Sequence, residues 1–204
     1  MKYDQYTYLW PTRPTNAALP ATLGFWEKRG MIAQIKKNGT NNVVFVTDKE
    51  VIFKTRHNDD HKQWVPKKST IDFFASLPAW TVLNTELLHN KTKDIKDSVF
   101  IYDVVAYNGE QLVGETFMKR QELLRGLFDT QDETYSHYMI EDGIWLAKNY
   151  DKDFSDLYQK TLLHDEDEGL VLKKPKAKLK QCVSANSNSS WMIKCRKPHK
   201  NYSF

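Results

Sequence analysis

Cysteine is scarce in this 204-residue chain: Cys182 and Cys195 are the two it has, and their spacing fits neither a metal-binding pair nor a disulfide framework, so a reduced, cytoplasmic protein is expected. No apolar run approaches the length of a membrane span, and the opening Met1-Lys2-Tyr3-Asp4-Gln5 lacks the apolar core of a signal peptide, which predicts no membrane partner. Internal repeats are not visible. Charge of one sign is in small excess: 30 Lys and Arg against 26 Asp and Glu leave a formal +4, which permits a polyanionic partner without demanding one. The 40% hydrophobic and 13% aromatic residues argue against disorder and suffice for the core of a single domain covering residues 1–204.

The stretch Ile35-Lys36-Lys37-Asn38-Gly39-Thr40-Asn41 puts a lysine just ahead of an Asn-Gly pair, between apolar Met31-Ile32-Ala33 and Val43-Val44-Phe45-Val46. The pattern predicts two strands meeting at a tight Asn-Gly turn, with the Lys36 amine at a strand end where it can face a pocket. Neighbours on a strand face opposite sides, so Lys37 should point away from that pocket. Taken alone, an Asn-Gly turn flanked by lysines is a common surface feature.

Five later segments supply the chemistry such a lysine needs. The strand-like Val51-Ile52-Phe53 leads to Thr55-Arg56, where a planar guanidinium can grip ribose or phosphate oxygens. Glu86 lies among apolar residues of Leu83 to Leu88, as a strand-edge surface group or a ligand-facing acceptor. Ser98 to Val105 is an apolar run broken by Asp103 and followed by Asn108-Gly109; it reads as the buried strand of a hairpin, in which Tyr102 is either core or a flat face for a base. Glu168 to Lys173 and Trp191 to Arg196 alternate as strands, the second putting Lys194 and Arg196 on one face, spaced to grip a phosphate.

Between and around these lie simpler segments. Helices are predicted over Met118–Phe128 and Phe154–Leu163, where apolar residues recur at helical spacing. Residues 1–23 read as an extended arm, proline-rich at Pro11, Pro14 and Pro20, and Ser184–Ser190 as a polar loop. The basic run Lys173, Lys174, Lys176, Lys178 and Lys180, and the closing Arg196, Lys197, His199 and Lys200, adjoin the phosphate-facing strands and so are candidates for a nucleic-acid backbone. His57 and His61, beside Asp59 and Asp60, fit a polar loop better than a zinc site.

In this order the segments resemble the covalent nucleotidyltransferase superfamily, which comprises ATP-dependent DNA ligases, RNA ligases and mRNA capping guanylyltransferases. The nucleophile motif lysine-x-aspartate-glycine matches Lys36-Lys37-Asn38-Gly39, with asparagine for aspartate. Serine/threonine-arginine matches Thr55-Arg56, the glutamate motif matches Glu86, and the aromatic strand matches Phe100 to Val104. Glutamate-glycine-x-valine-x-lysine matches Glu168 to Lys173 almost without change, and lysine-x-lysine matches Lys194-x-Arg196. The match spans about Gln34 to about Lys197.

The resemblance implies an α+β adenylation domain of two antiparallel β-sheets with flanking helices, similar to ATP-grasp proteins. It implies an ATP-dependent polynucleotide ligase acting with Mg2+ or Mn2+ on nicked duplex DNA, somewhat favoured over RNA. Lys36 would attack the α-phosphorus to form lysyl-AMP, with Lys194 and Arg196 stabilising the transition state. Gln34, Ile35, Arg56, Glu86, Tyr102 and Lys173 would join them on ATP, Tyr102 stacking on adenine and Arg56 and Glu86 holding the ribose. Glu168 and Glu86 would hold the metal, and Asn41, Lys174, Lys176, Lys178 and Lys197 the nucleic acid. A free lysine amine titrates near about 10.4, so burial and neighbouring cations must favour its neutral form. The ligases usually carry an OB-fold domain after the last motif; Lys197 to Phe204 are too few for one, so none is expected within 1–204, and either the single domain suffices or closure over ATP relies on a partner in trans or on further chain. Gly39-Thr40-Asn41 is closer to RNA ligases, while DNA ligases often have arginine at the position of Asn41. A capping enzyme would take GTP, and a non-catalytic nucleic-acid-binding module would need neither the lysine nor the carboxylates.

Overall fold

The computed structural model describes residues 1–180 and 188–198; Cys182, His199, Lys200 and most of the polar loop expected at 184–190 lie outside them. Twelve strands and four α-helices follow in the order β1 (Arg13–Ala17), α1 (Leu23–Lys28), β2 (Ile32–Lys37), β3 (Thr40–Val46), β4 (Val51–Thr55), α2 (Lys68–Ala75), β5 (Thr81–Leu88), β6 (Ser98–Tyr107), β7 (Glu110–Gln111), α3 (Phe117–Leu127), β8 (Asp132–Glu133), β9 (His137–Glu141), β10 (Ile144–Ala147), α4 (Phe154–Thr161), β11 (Asp167–Lys173) and β12 (Asn188–Arg196). A small sheet runs β1-β12-β11-β2, and a large one runs β4-β3-β5-β6-β10-β9-β8 with β7 beside β6.

The architecture is the expected α+β one, with a difference of detail. Each sheet is mixed, because β1 runs parallel to β12 and β10 runs parallel to β6. A parallel neighbour needs a long crossover, and the chain between β6 and β10 provides one through α3. Three apolar clusters hold the layers together. Phe74 of α2 and Leu124 of α3 cover one face of the large sheet, while Tyr3, Tyr8 and Leu9 of the N-terminal segment cover Val43, Phe45 and Val105 on the other. Leu23 of α1 and Phe154, Leu157 and Tyr158 of α4 cover the small sheet.

The helix expected at 118–128 begins one residue earlier, because the Thr116 side chain accepts from the Lys119 N–H and caps it. The helix expected at 154–163 ends at Thr161. Helix α1, of six residues, was too short for helical periodicity to declare it, and α2, of eight, was not expected from the sequence. The N-terminal arm contributes β1 to the edge of the small sheet.

One expectation is corrected. Strands β2 and β3 do not form a hairpin at Asn38-Gly39: β2 ends the small sheet and β3 lies in the large one. The Asn38 N–H donates to the Glu166 carbonyl at 2.7 Å, so β11 occupies the position a hairpin partner would take. Gly39 is where the chain crosses between sheets, and a Cβ there would stand 2.5 Å from the Leu87 carbonyl oxygen. The crossing leaves Lys36 at the junction of the two sheets.

Candidate active site

Alternation along three strands of the small sheet separates core from site. Ile35, Leu170, Leu172, Ile193 and Cys195 turn toward α1 and α4, whereas Gln34, Lys36, Val171, Lys173, Lys194 and Arg196 line a cavity of about 680 Å³. Asn41, Glu86, Phe100 and Tyr102 of the large sheet, with Arg56 just beyond β4, line it from the other side. The cavity is therefore the cleft between the sheets, in the size range of small-molecule sites.

Lys36 Nζ is ion-paired with Glu168 Oε2. A bulge makes the pairing possible: Lys37 lies opposite Asp167 and Lys36 opposite Gly169, so Glu168 is left without a ladder partner and turns onto Lys36. Gly169 is required for it, having φ +126° and space for no side chain, since a Cβ would fall 2.1 Å from the Cys195 carbonyl oxygen. Arg196 Nε stands 3.5 Å from the same Glu168 oxygen. Burial alone would raise the Glu168 carboxyl, but Lys36, Arg196 and Lys91 outweigh it and hold the group below its ordinary range. Lys194 is pushed down, by burial first and then by Arg196, Lys36 and Arg13. Four cations thus surround one carboxylate, an arrangement suited to an anionic ligand.

Glu86 behaves oppositely. Burial raises its carboxyl, and Lys36 and Lys91 only partly oppose this. Lys91 reaches in from the loop after β5 and donates to the Gly39 carbonyl at 2.6 Å. Glu86 and Glu168 line one cavity and act on one another electrostatically, which fits magnesium held by one or two carboxylates with water and phosphate completing the shell.

At the other end of the cleft, the Tyr102 hydroxyl accepts from the Asn41 amide at 2.6 Å. Lys173 is 2% exposed, donates to Gln34 Oε1 and lies 5.1 Å from the Tyr102 ring centroid. Burial pushes its ammonium down to about 8. Gln34 in turn donates to Gln121 and Asn149, both at 2.9 Å. Asp103, the aspartate that interrupts the apolar run, accepts Arg120 through both oxygens at 2.9 and 2.8 Å and anchors α3 to β6.

The expected residues therefore divide into groups. Lys36, Glu86, Arg56, Tyr102, Glu168, Lys173, Lys194, Arg196, Gln34 and Asn41 share the cavity wall; Ile35 borders it but buries its side chain with α1 and α4. Lys174, Lys176 and Lys178 are exposed outside the cavity, and Lys197 Nζ donates to the His164 carbonyl at 2.7 Å. Asn41 spends its amide on Tyr102. Lys91 and Arg13 also line the cavity and were not singled out in sequence, because each lies in a loop or edge segment without periodicity; His61, read in sequence as part of a polar loop, lines it too. Arg120 had one signal: a lone Asp in a buried strand needs a cation.

A family model described as "ATP dependent DNA ligase domain" matches residues 24–194. No curated protein matches the chain in sequence. In fold the chain is similar to mycobacterial DNA ligase D complexed with ATP and MES, with TM-score 0.66 at 14% identity over 92% of this chain and 60% of that one. It is similar to the ligase domain of M. tuberculosis LigD, with TM-score 0.62 at 14% identity over 91% and 58%. The ATP-dependent DNA ligase of bacteriophage T7 in complex with ATP matches with TM-score 0.53 at 14% identity over 91% and 68%. The chain thus spans about three-fifths of the length of the two mycobacterial structures.

Proposed function

Because the chain belongs to the family of ATP-dependent DNA ligase domains, we propose that it forms lysyl-AMP on Lys36, passes AMP to the 5′-phosphate at a nick and joins that end to a 3′-hydroxyl, with DNA as the preferred strand. The observation that carries the reading is the Lys36–Glu168 ion pair on the cavity wall, with Lys194 and Arg196 on the next strand but one.

In the first step the Lys36 amine, having given up its proton and its contact with Glu168, attacks the α-phosphorus. A P–N bond forms, the P–O bond to pyrophosphate breaks, and pyrophosphate leaves. Negative charge on the non-bridging oxygens meets Lys194 and Arg196, fixed donors that need little reorganisation. Tyr102 offers its face to the base, while Arg56 and Glu86 hold the ribose. Glu168 and Glu86 would hold magnesium, which when bound supplies positive charge against the phosphates. Exposed Lys174, Lys176 and Lys178 suit the nucleic-acid backbone. Asn41 and Lys197 turn their side chains to protein partners, which leaves them a smaller part in gripping the strand.

The chain is read as one adenylation domain in the cytoplasm, with residues 1–23 as its arm. No helix among the described residues is long and apolar enough to cross a membrane. Since the similar mycobacterial structures are longer, a further OB-fold unit, supplied in trans or by more chain, would assist closure over ATP.

Incubation with labelled ATP or GTP and magnesium, followed by a denaturing gel, tests the reading. A covalent band from ATP that vanishes in Lys36→Ala is expected, followed by sealing of a nicked DNA duplex. A band from GTP alone would make the protein a guanylyltransferase, no band from either nucleotide would leave a binding module, and sealing confined to RNA would overturn the DNA preference.

A further inference from the structure

Immediately beside the Lys36–Glu168 contact lies a second ion pair, on the opposite face of the same two strands. Lys37 Nζ stands 2.7 Å from Asp167 Oδ1, with side chains 1% and 0% exposed. The approach is an ion contact rather than a well-aligned hydrogen bond, since Asp167 Oδ1 has no hydrogen-bond partner; the ammonium instead donates to Ser136 Oγ at 3.0 Å. The other Asp167 oxygen accepts from the Tyr135 hydroxyl. The ammonium also sits 5.8 Å from the Phe100 ring centroid and 5.7 Å from that of Trp145.

A buried ion pair is a poor way to gain stability, because desolvating two charges offsets their attraction, and apolar residues of similar volume often do as well. It does fix register. Here it sits at the last ladder position before the bulge, with Lys37 opposite Asp167 and Lys36 opposite Gly169. Displacing the bulge by one residue would turn Glu168 to the other face and take it from Lys36. Apolar side chains at 37 and 167 would tolerate that slip; a buried ammonium and carboxylate would not, as each would lose the partner it touches, although Lys197 also acts on Asp167 electrostatically.

We propose that Lys37 and Asp167 are positioning residues for the nucleophile, their buried pair setting the bulge register that brings Glu168 onto Lys36. The inference rests on the reading of Lys36 as the adenylated lysine. Lys37 borders the cavity, but its ammonium is turned to Asp167 and Ser136, so it acts through its neighbour and not on the substrate.

Competitive acetylation with acetic anhydride, read by mass spectrometry, measures the reactivity of the Lys36 amine against exposed Lys176 without any turnover. In Lys37→Met/Asp167→Leu, and in the polar but neutral Lys37→Gln/Asp167→Asn, Lys36 should acetylate several-fold faster than in the wild type. Lys37→Arg, which keeps the charge, should stay near the wild-type ratio. Lysyl-AMP formation should fall about a hundredfold in kcat with little change in the KM for ATP, as displacing a reacting group by about 1 Å does. A folded double variant with wild-type Lys36 reactivity and a wild-type adenylation rate overturns the proposal, as does loss of folding in both double variants, which would make the pair a structural requirement. If the wild-type protein forms no lysyl-AMP, the ligase reading falls, while the acetylation ratio still decides whether the pair positions Lys36.

Discussion

The Asn41 amide and the Tyr102 hydroxyl meet at 2.6 Å, tying the strand that leaves the Gly39 crossing to the aromatic side of the cleft. The bond fixes the ring that the base is expected to use, while the ring face supplies the energy. Tyr102→Ala should therefore raise the KM for ATP by roughly tenfold or more, since stacking on one aromatic ring is worth about 1–3 kcal/mol. Tyr102→Phe, which keeps the face and loses the tie, should change it little. Equal losses in both variants, measured by adenylation kinetics, would show that the hydroxyl rather than the ring matters.

Lys194 and Arg196 share a strand face but not a role. Arg196 leans on Glu168 at 3.5 Å, and the Lys194 ammonium is disfavoured by burial and by its cationic neighbours, a strain an incoming phosphate would relieve. Lys194→Ala should slow adenylation by roughly a hundredfold or more, as losing one preorganised donor does. Arg196→Lys should cost less, because a lysine can still stand near Glu168. Single-turnover rates with labelled ATP check both, and equal, negligible effects would remove β12 from the phosphate site.

Gly169→Ala tests the bulge itself. A Cβ there collides with the Cys195 carbonyl at 2.1 Å, and φ +126° suits no L side chain. We expect a loss of at least about 3 kcal/mol in urea melts, from backbone strain and displacement of β12 together. Gly30→Ala, which meets nothing within 4 Å but keeps φ +68°, should cost only about 1 kcal/mol. A small effect at Gly169 would mean that the strands can separate there without harm.

Most of the fold and much of the site could be read from local pattern. Period-2 alternation placed Lys194 and Arg196 on one face, as found, and sent Lys37 away from the pocket: its ammonium does turn to Asp167 and Ser136, although the residue still borders the cavity. The hairpin at Asn108-Gly109 was legible because Asn-Gly at positive φ, here 48° and 80°, favours that turn. The same dipeptide misled at Asn38-Gly39, where φ is not positive and the competing pairing comes from β11, 130 or so residues away, as its Asp167↔Lys37 register shows. Lys91 and Arg13 escaped for the same reason, since their approach to the cleft depends on which strands pair. The basic run after β11 was read as one feature, yet burial splits it: Lys173 closes the cavity floor while Lys174, Lys176 and Lys178 face solvent.

Lys173 gives a pH test with a fixed sign. Its ammonium is buried, donates to Gln34 and touches the faces of Tyr102 and Phe117; burial brings it down to about 8, with Asp103 opposing. In the unfolded chain it titrates near about 10.4. Below pH 8 both states are protonated and the native state carries the full cost of burying the charge. Between about 8 and 10.4 the unfolded state binds more protons, so the contribution of Lys173 to stability rises with pH, by up to about 3 kcal/mol across the window. Above it there is no further change. Lys173→Met lacks this titration but leaves Gln34 Oε1 without its donor, an offset that does not depend on pH. Urea melts of both proteins from pH 7 to 10.5 should therefore show the wild type gaining on the variant as the pH rises, whatever the sign of the gap at pH 7. A gap that stays flat, or that moves in favour of the variant, would mean that Lys173 is not a buried cation in the folded protein.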